Sequence, residues 1–157
     1  MKEQKLPQVA VIIGSKSDAE TMQASIDLLS EFGIEAELKI ASAHRDPAAV
    51  AEFVKNSEEN GVEVFIAAAG GAAALPGVVA SHTTLPVIGV PLTSSEMKGI
   101  DSLYSIVQMP PGIPVATVAL GSWGARNSAV LAAQILGLKY DNISKANKAY
   151  RQRLRER

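Results

Sequence analysis

Short, unbroken apolar runs alternate with glycine- or serine-bearing turns and helical repeats along most of this 157-residue chain. Residues 8–13, 62–69 and 87–90 are apolar without period-two alternation, the pattern of strands buried on both faces. Residues 35–41 and 115–120 give a second and a fifth strand in chain order. Between them, Met22, Ile26 and Leu29 recur at helical spacing up to Phe32, with Gly33 as the stop. Val50, Phe53 and Val54 mark a helix that ends near Asn60 and Gly61. Pro76 opens a short helix through Ser81, and residues 101–108 form another. The alanine-rich stretch 125–136 is apolar all round and calls for cover on more than one side. Residues 142–155 carry only a thin apolar line, Ile143, Ala146, Tyr150 and Leu154. Such a helix needs a surface to lie on, and a neighbouring subunit is one candidate. Strand and helix in alternation give an α/β fold with a parallel sheet covered by helices. No repeat or linker divides the chain, so residues 1–157 are expected to form one domain.

Composition agrees and excludes several functions. Hydrophobic residues make up 47% and aromatic residues only 4%, so the core must be built from Ala, Val, Ile and Leu. A net charge of −1 argues against a general nucleic-acid role. No cysteine is present, which removes disulfides, thiolate chemistry and zinc–cysteine sites. The two histidines, His44 and His82, are far apart, which argues against a histidine metal site; no metal or cofactor is expected. Residues 1–7 have no signal-peptide core and no apolar run is long enough to span a bilayer, so a soluble, cytoplasmic protein without membrane partners is expected. Charge is uneven: Lys139, Lys145, Lys148, Arg151, Arg153, Arg155 and Arg157 face only Asp141 and Glu156, a tail of net +5 against −6 elsewhere. The tail reads as a solvated helix face.

The chemistry gathers at three turns. Gly14-Ser15-Lys16-Ser17-Asp18 follows the first strand, and Ser17 to Glu20 has the Ser-x-x-Glu form of a capping box. A strand–Gly–Ser–helix turn presents free amides to an anion. Ser42-Ala43-His44-Arg45-Asp46-Pro47 follows the second strand, with Asp46 as N-cap and Pro47 in the first helical position. It puts an imidazole beside a fixed cation. Gly70-Gly71-Ala72-Ala73-Ala74-Leu75-Pro76-Gly77 follows the third strand, where small side chains let backbone approach a ligand closely. In a parallel sheet these three turns meet at one edge. Ser15, Ser17, Ser42 and Arg45 suit a phosphate, Asp18 suits ribose hydroxyls, Gly70, Gly71 and Ala72 suit a carboxylate, and His44 suits proton transfer. His82 falls in a loop and reads as exposed, as does the loop Gly121-Ser122-Trp123-Gly124, where an exposed Trp123 would mark a protein contact.

These motifs, with Leu85-Pro86-Val87-Ile88-Gly89-Val90-Pro91 and the run from Gly99 to Pro110, resemble the class I N5-carboxyaminoimidazole ribonucleotide mutases of purine biosynthesis, in the phosphoribosylaminoimidazole carboxylase family (PurE). The likeness spans residues 9–138. It implies a flavodoxin-like three-layer sandwich on a five-stranded parallel sheet, and a homo-octamer in which the C-terminal helix, residues 139–157, helps to join subunits. The implied reaction moves a carboxyl group from the exocyclic N5 to C4 of aminoimidazole ribonucleotide, without metal or ATP. Carried over, His44 is the acid/base. Ser15, Asp18 and Arg45 bind substrate, with Ser17, Ser42, Gly70, Gly71, Ala72 and Leu75 as further contacts. Three positions depart from the family pattern: Ala74 where histidine is usual, Ala68 where glycine is usual, and Asp46 where threonine is commoner. Two other functions fit the same turns: a related carboxylase using free CO2, and a nucleotide-binding protein without catalysis.

Overall fold

The structure, a computed structural model, describes residues 6–156. Residues 1–5 of the expected N-terminal tail and Arg157 lie outside it. Five parallel strands form one sheet: β1 (Val9–Ile13), β2 (Ala36–Ile40), β3 (Val64–Ala69), β4 (Val87–Pro91) and β5 (Ala116–Thr117), in the order β2-β1-β3-β4-β5. This is the flavodoxin-like order, in which the winding reverses between β1 and β3. The helices are α1 (Ala19–Glu31), α2 (Pro47–Glu59), α3 (Leu75–Ser81), α4 (Ile100–Val107), α5 (Gly121–Leu136) and α6 (Asp141–Arg155).

Strand side chains alternate between two cores. Val9, Val11 and Ile13 of β1 and Val64, Ile66 and Ala68 of β3 meet Met22 and Leu29 of α1 and Ala129, Ala132 and Leu136 of α5. Ala10 and Ile12, with Phe65 and Ala67, face Val50 and Val54 of α2, Val79 of α3 and Ile106 of α4. Continuous apolar sequence in β1 and β3 thus reflects helices on both faces. Helices α1 and α5 approach closely because small residues line their contact. Ser25 and Ser128, both fully buried, lie 3.0 Å apart at the hydroxyls. The Ser128 hydroxyl donates to the Ala125 carbonyl at 2.7 Å, which leaves Ser25 as the donor between helices.

Three boundaries differ from expectation. The fifth strand is two residues, not 115–120: only Ala116 and Thr117 pair, with Ile88 and Gly89 of β4. The expected loop Gly121-Ser122-Trp123-Gly124 is instead the first turn of α5. Gly124 is required there by contact: a Cβ would stand 1.7 Å from the Ala119 carbonyl oxygen. Trp123 itself is exposed, as expected. The capping box is Ser15 with Asp18, not Ser17 with Glu20. A 3-10 turn, Lys16–Asp18, precedes α1, so the chain starts winding two residues earlier.

Helix α6 lies on its own chain. Ile143 is 1% exposed, Ala146 and Tyr150 pack on the same core, and the Tyr150 ring meets Phe32 edge-on at 5.5 Å. Glu63 clasps the approach to α6: Lys139 donates to one carboxylate oxygen at 2.8 Å and the Tyr140 hydroxyl to the other at 2.5 Å. These two donors outweigh burial and hold the Glu63 carboxyl below its ordinary pKa. Arg153 pairs with Glu31. Leu154, in contrast, remains exposed. Ile143→Ala should therefore cost about 2–5 kcal/mol in urea unfolding, the scale for emptying a core isoleucine site. A loss under about 1 kcal/mol would mean that α6 adds little to this core.

Candidate active site

All strands run the same way, so the turns after β1, β2, β3 and β4 emerge at one edge of the sheet. They enclose a cavity of about 240 Å³ lined by Gly14, Ser15, Asp18, Ser42, Ala43, His44, Ala69, Gly70, Ala72, Ala73, Ala74, Leu75 and Ser94. It sits over the reversal point between β1 and β3, where sheets of this topology bind ligands. A second groove, about 490 Å³, lies between residues 83–87 and 112–116. It is mostly apolar, holds no titratable side chain and is remote from the strand ends that gather the polar groups.

The three expected turns do converge, though not every expected residue reaches the cavity wall. Ser15, Asp18, Ser42, His44, Gly70, Ala72 and Leu75 line it; Ser17, Arg45 and Gly71 do not. Ser17 is exposed beside the cavity, its hydroxyl donating to the Ser15 Oγ at 3.0 Å. Arg45 bridges two turns, its Nη2 donating to the Gly14 carbonyl at 3.1 Å. It thus stands at the rim next to Ser15. Asp46 caps α2 by accepting the Ala49 N–H at 3.0 Å, and Pro47 takes the first helical position, so the turn carrying His44 and Arg45 is anchored on both sides.

Asp18 is 7% exposed and accepts the Ser15 N–H at 3.1 Å. Burial raises its carboxyl above the ordinary pKa, and the Ser15 amide offsets only part of that. The third turn is shaped by left-handed residues: Gly71 at φ +60° and, unusually for a side-chain-bearing residue, Ala73 at φ +39°. The Ala73 N–H closes back on the Gly70 carbonyl at 3.2 Å.

Ser94 was not legible as a site residue. It comes from the 92–99 segment after β4, a polar stretch in which no motif marks one serine over another. The available signal was positional: a fourth strand end in a parallel sheet opens at the same edge as the other three. That segment is held tightly. The Ser95 hydroxyl donates to Asp101 at 2.6 Å, Ser102 donates to the Leu92 carbonyl at 2.8 Å, and Gly99 turns at φ +93°. The Ser95 hydroxyl, first among its causes, holds Asp101 below its ordinary pKa. His82 is exposed at the end of α3, away from the cavity. Among the described residues no group of three or more His, Asp or Glu side chains is placed to hold a metal ion, and no helix is long and apolar enough to cross a membrane.

The raised Asp18 pKa fixes the sign of a pH effect. The folded chain holds this proton more tightly than the unfolded chain, so stability from this group is greatest below the unfolded pKa and falls as pH rises through the folded one. Asp18→Asn keeps an acceptor for the Ser15 N–H but cannot ionise. It should match wild type in acid and melt higher than wild type at neutral pH. Equal melting curves at both pH values would contradict the burial argument.

Comparison with known proteins agrees with this architecture. A profile of the family described as AIR carboxylase matches residues 8–157. The N5-carboxyaminoimidazole ribonucleotide mutase of Thermotoga maritima is 54% identical over 150 residues, covering 96% of this chain and 86% of that protein. The mutase of Saccharolobus solfataricus is 53% identical over 150 residues, covering 96% and 94%. The crystal structure of Treponema denticola PurE superposes with a TM-score of 0.87 at 32% identity, covering 96% of this chain and 92% of that one. With a family profile spanning nearly its full length on top of a flavodoxin-like sheet, the chain belongs to the AIR carboxylase family.

Proposed function

We propose that this protein is an N5-carboxyaminoimidazole ribonucleotide mutase, an isomerase of purine biosynthesis. The observation that carries the reading is the convergence of an imidazole, serine hydroxyls and a small-residue backbone turn in one cavity over the β1/β3 reversal. The cavity alone is smaller than usual small-molecule sites, roughly 300–1,000 Å³. A nucleotide therefore extends across the rim, where Ser17 and Arg45 stand. Ser15, Ser17, Ser42 and Arg45 hold the phosphate, and Asp18 the ribose hydroxyls. The backbone of Gly70, Gly71 and Ala72, with Leu75, encloses the carboxyl group in transit.

In the reaction the N5–carboxyl bond breaks, CO2 departs and N5 gains a proton. C4 then attacks the same CO2, a C–C bond forms and C4 loses its proton. One proton moves from C4 to N5 overall, so a single acid/base closes the cycle, and His44 fills that role. No metal, ATP or other cofactor is needed for this balance. Ala74, at the cavity wall, offers no second imidazole, so the proton traffic falls to His44.

We further read the enzyme as a cytoplasmic protein of IMP biosynthesis that works as a homo-octamer. Exposed apolar side chains support association: Tyr104 (66%), Trp123 (78%) and Leu138 (91%). The outer side of α6 with Leu154, and the basic tail, are available to a neighbouring subunit.

His44→Asn should abolish turnover of N5-carboxyaminoimidazole ribonucleotide while leaving its affinity within a few-fold, measured by steady-state kinetics and calorimetry. Retained turnover would remove His44 from the chemistry. Arg45→Ala should weaken nucleotide binding by about 1.5–3 kcal/mol, the scale of hydrogen bonds to a charged group. An unchanged affinity would move the phosphate elsewhere.

A further inference from the structure

We infer that Ser94 is a substrate-contacting residue whose hydroxyl holds the carboxylate of the nucleotide at the end of the cavity away from the phosphate. The inference rests on the mutase reading for the identity of the ligand and on the following geometry for the residue.

The cavity wall has two unlike halves. The turns after β1 and β2 contribute Ser15, Asp18, Ser42 and His44. The turns after β3 and β4 contribute Ala69, Gly70, Ala72, Ala73, Ala74, Leu75 and Ser94. Among the described residues, Ser94 therefore supplies the one side-chain hydrogen-bond donor on that second half. In the sheet order, β4 lies two strands from β1, roughly 10 Å at the ordinary strand spacing. A ligand anchored by phosphate beside Ser15 and Arg45 presents its far end there. In the carboxylated nucleotide, the carboxylate belongs to that far end.

Gly70 leaves room for the Ser94 hydroxyl in its present rotamer. Its backbone does not take the left-handed conformation that favours glycine, so conformation does not explain the residue. Space does: a Cβ on Gly70 would lie 1.9 Å from the Ser94 Oγ and 3.3 Å from the Ser94 Cβ. The hydroxyl occupies the place of the missing side chain. The backbone on either side of it is anchored, because its neighbour Ser95 is bonded to Asp101 and the Leu92 carbonyl is bonded to Ser102. No hydrogen bond within the chain engages the Ser94 hydroxyl among the described residues, whereas the Ser15 oxygen accepts from the Ser17 N–H and hydroxyl and the Ser42 oxygen accepts from the Arg45 N–H. A neutral donor suits this end of the site chemically. The group it holds must leave as uncharged CO2 and return as a carboxylate, and a fixed cation would favour the charged form throughout.

The test compares 4-carboxyaminoimidazole ribonucleotide with aminoimidazole ribonucleotide, which lacks the carboxylate, by calorimetry on the full chain. Ser94→Ala should weaken the first ligand about ten- to a hundredfold and the second less than threefold, as for loss of a hydrogen bond to a charged acceptor. Gly70→Ala, which drives the hydroxyl aside without deleting it, should reproduce this selectivity. Added to Ser94→Ala, it should add little. Equal weakening of both ligands would make Ser94 a packing residue and overturn the proposal, as would no change in either. Turnover of the N5-carboxy isomer by the wild type separates the two ideas. A wild type that binds both nucleotides without turnover refutes the mutase reading, while the affinity ratio still decides Ser94. A wild type that binds neither nucleotide refutes both.

Discussion

The parallel pairing of β1 with β3 carries the rest of the structure. Every side chain of both strands is buried, so helices must cover both sheet faces. Parallel strands need a crossover for each connection, and the crossovers leave from one edge. Winding outward from this pair, β2 goes to one side and β4 and β5 to the other, and the crossover helices separate at the point of reversal. The crevice is therefore a product of topology, and it exists before any particular site residue is chosen.

The turns that carry the crevice side chains are held by contacts of their own. Asp46 and Pro47 begin α2 and so fix the turn that bears His44. Arg45 reaches back to the Gly14 carbonyl and ties that turn to the one carrying Ser15. Ser15 and Asp18 cap one another, and Asp101 holds the segment that carries Ser94. The arrangement restricts motion where reacting groups must be aligned. It also has a cost, since Asp18 is buried with its charge only partly compensated and Ala73 keeps a left-handed backbone.

The sheet and the convergence of three turns were legible because burial on both faces writes uninterrupted apolar runs in β1 and β3, which Gly14 and Gly70 follow directly, while the alternating, more exposed β2 leads into Ser42. Reading failed where contact rather than pattern decides. Gly121 and Gly124 look like breakers, yet Gly124 is inside α5 because the Ala119 carbonyl leaves no room for a side chain. Ser17 and Glu20 match a capping box as well as Ser15 and Asp18 do, and only the early 3-10 turn selects between them. The thin apolar line of α6 asks for a surface, but sequence does not say whose; Phe32 and the core between α1 and α5 of the same chain supply much of it. Ser94 was missed because a serine in a polar loop carries no signal until the strand order brings it over Gly70.

In the proposed reaction the crevice keeps the carboxyl group between its departure from N5 and its arrival at C4. The most direct measurement uses N5-carboxyaminoimidazole ribonucleotide labelled with 13C in the carboxyl group, turned over in unlabelled bicarbonate and followed by NMR. The account predicts that nearly all product carries the label at the C4 carboxylate. Product carrying unlabelled carboxylate from solution would contradict it and identify a carboxylase that draws on free CO2.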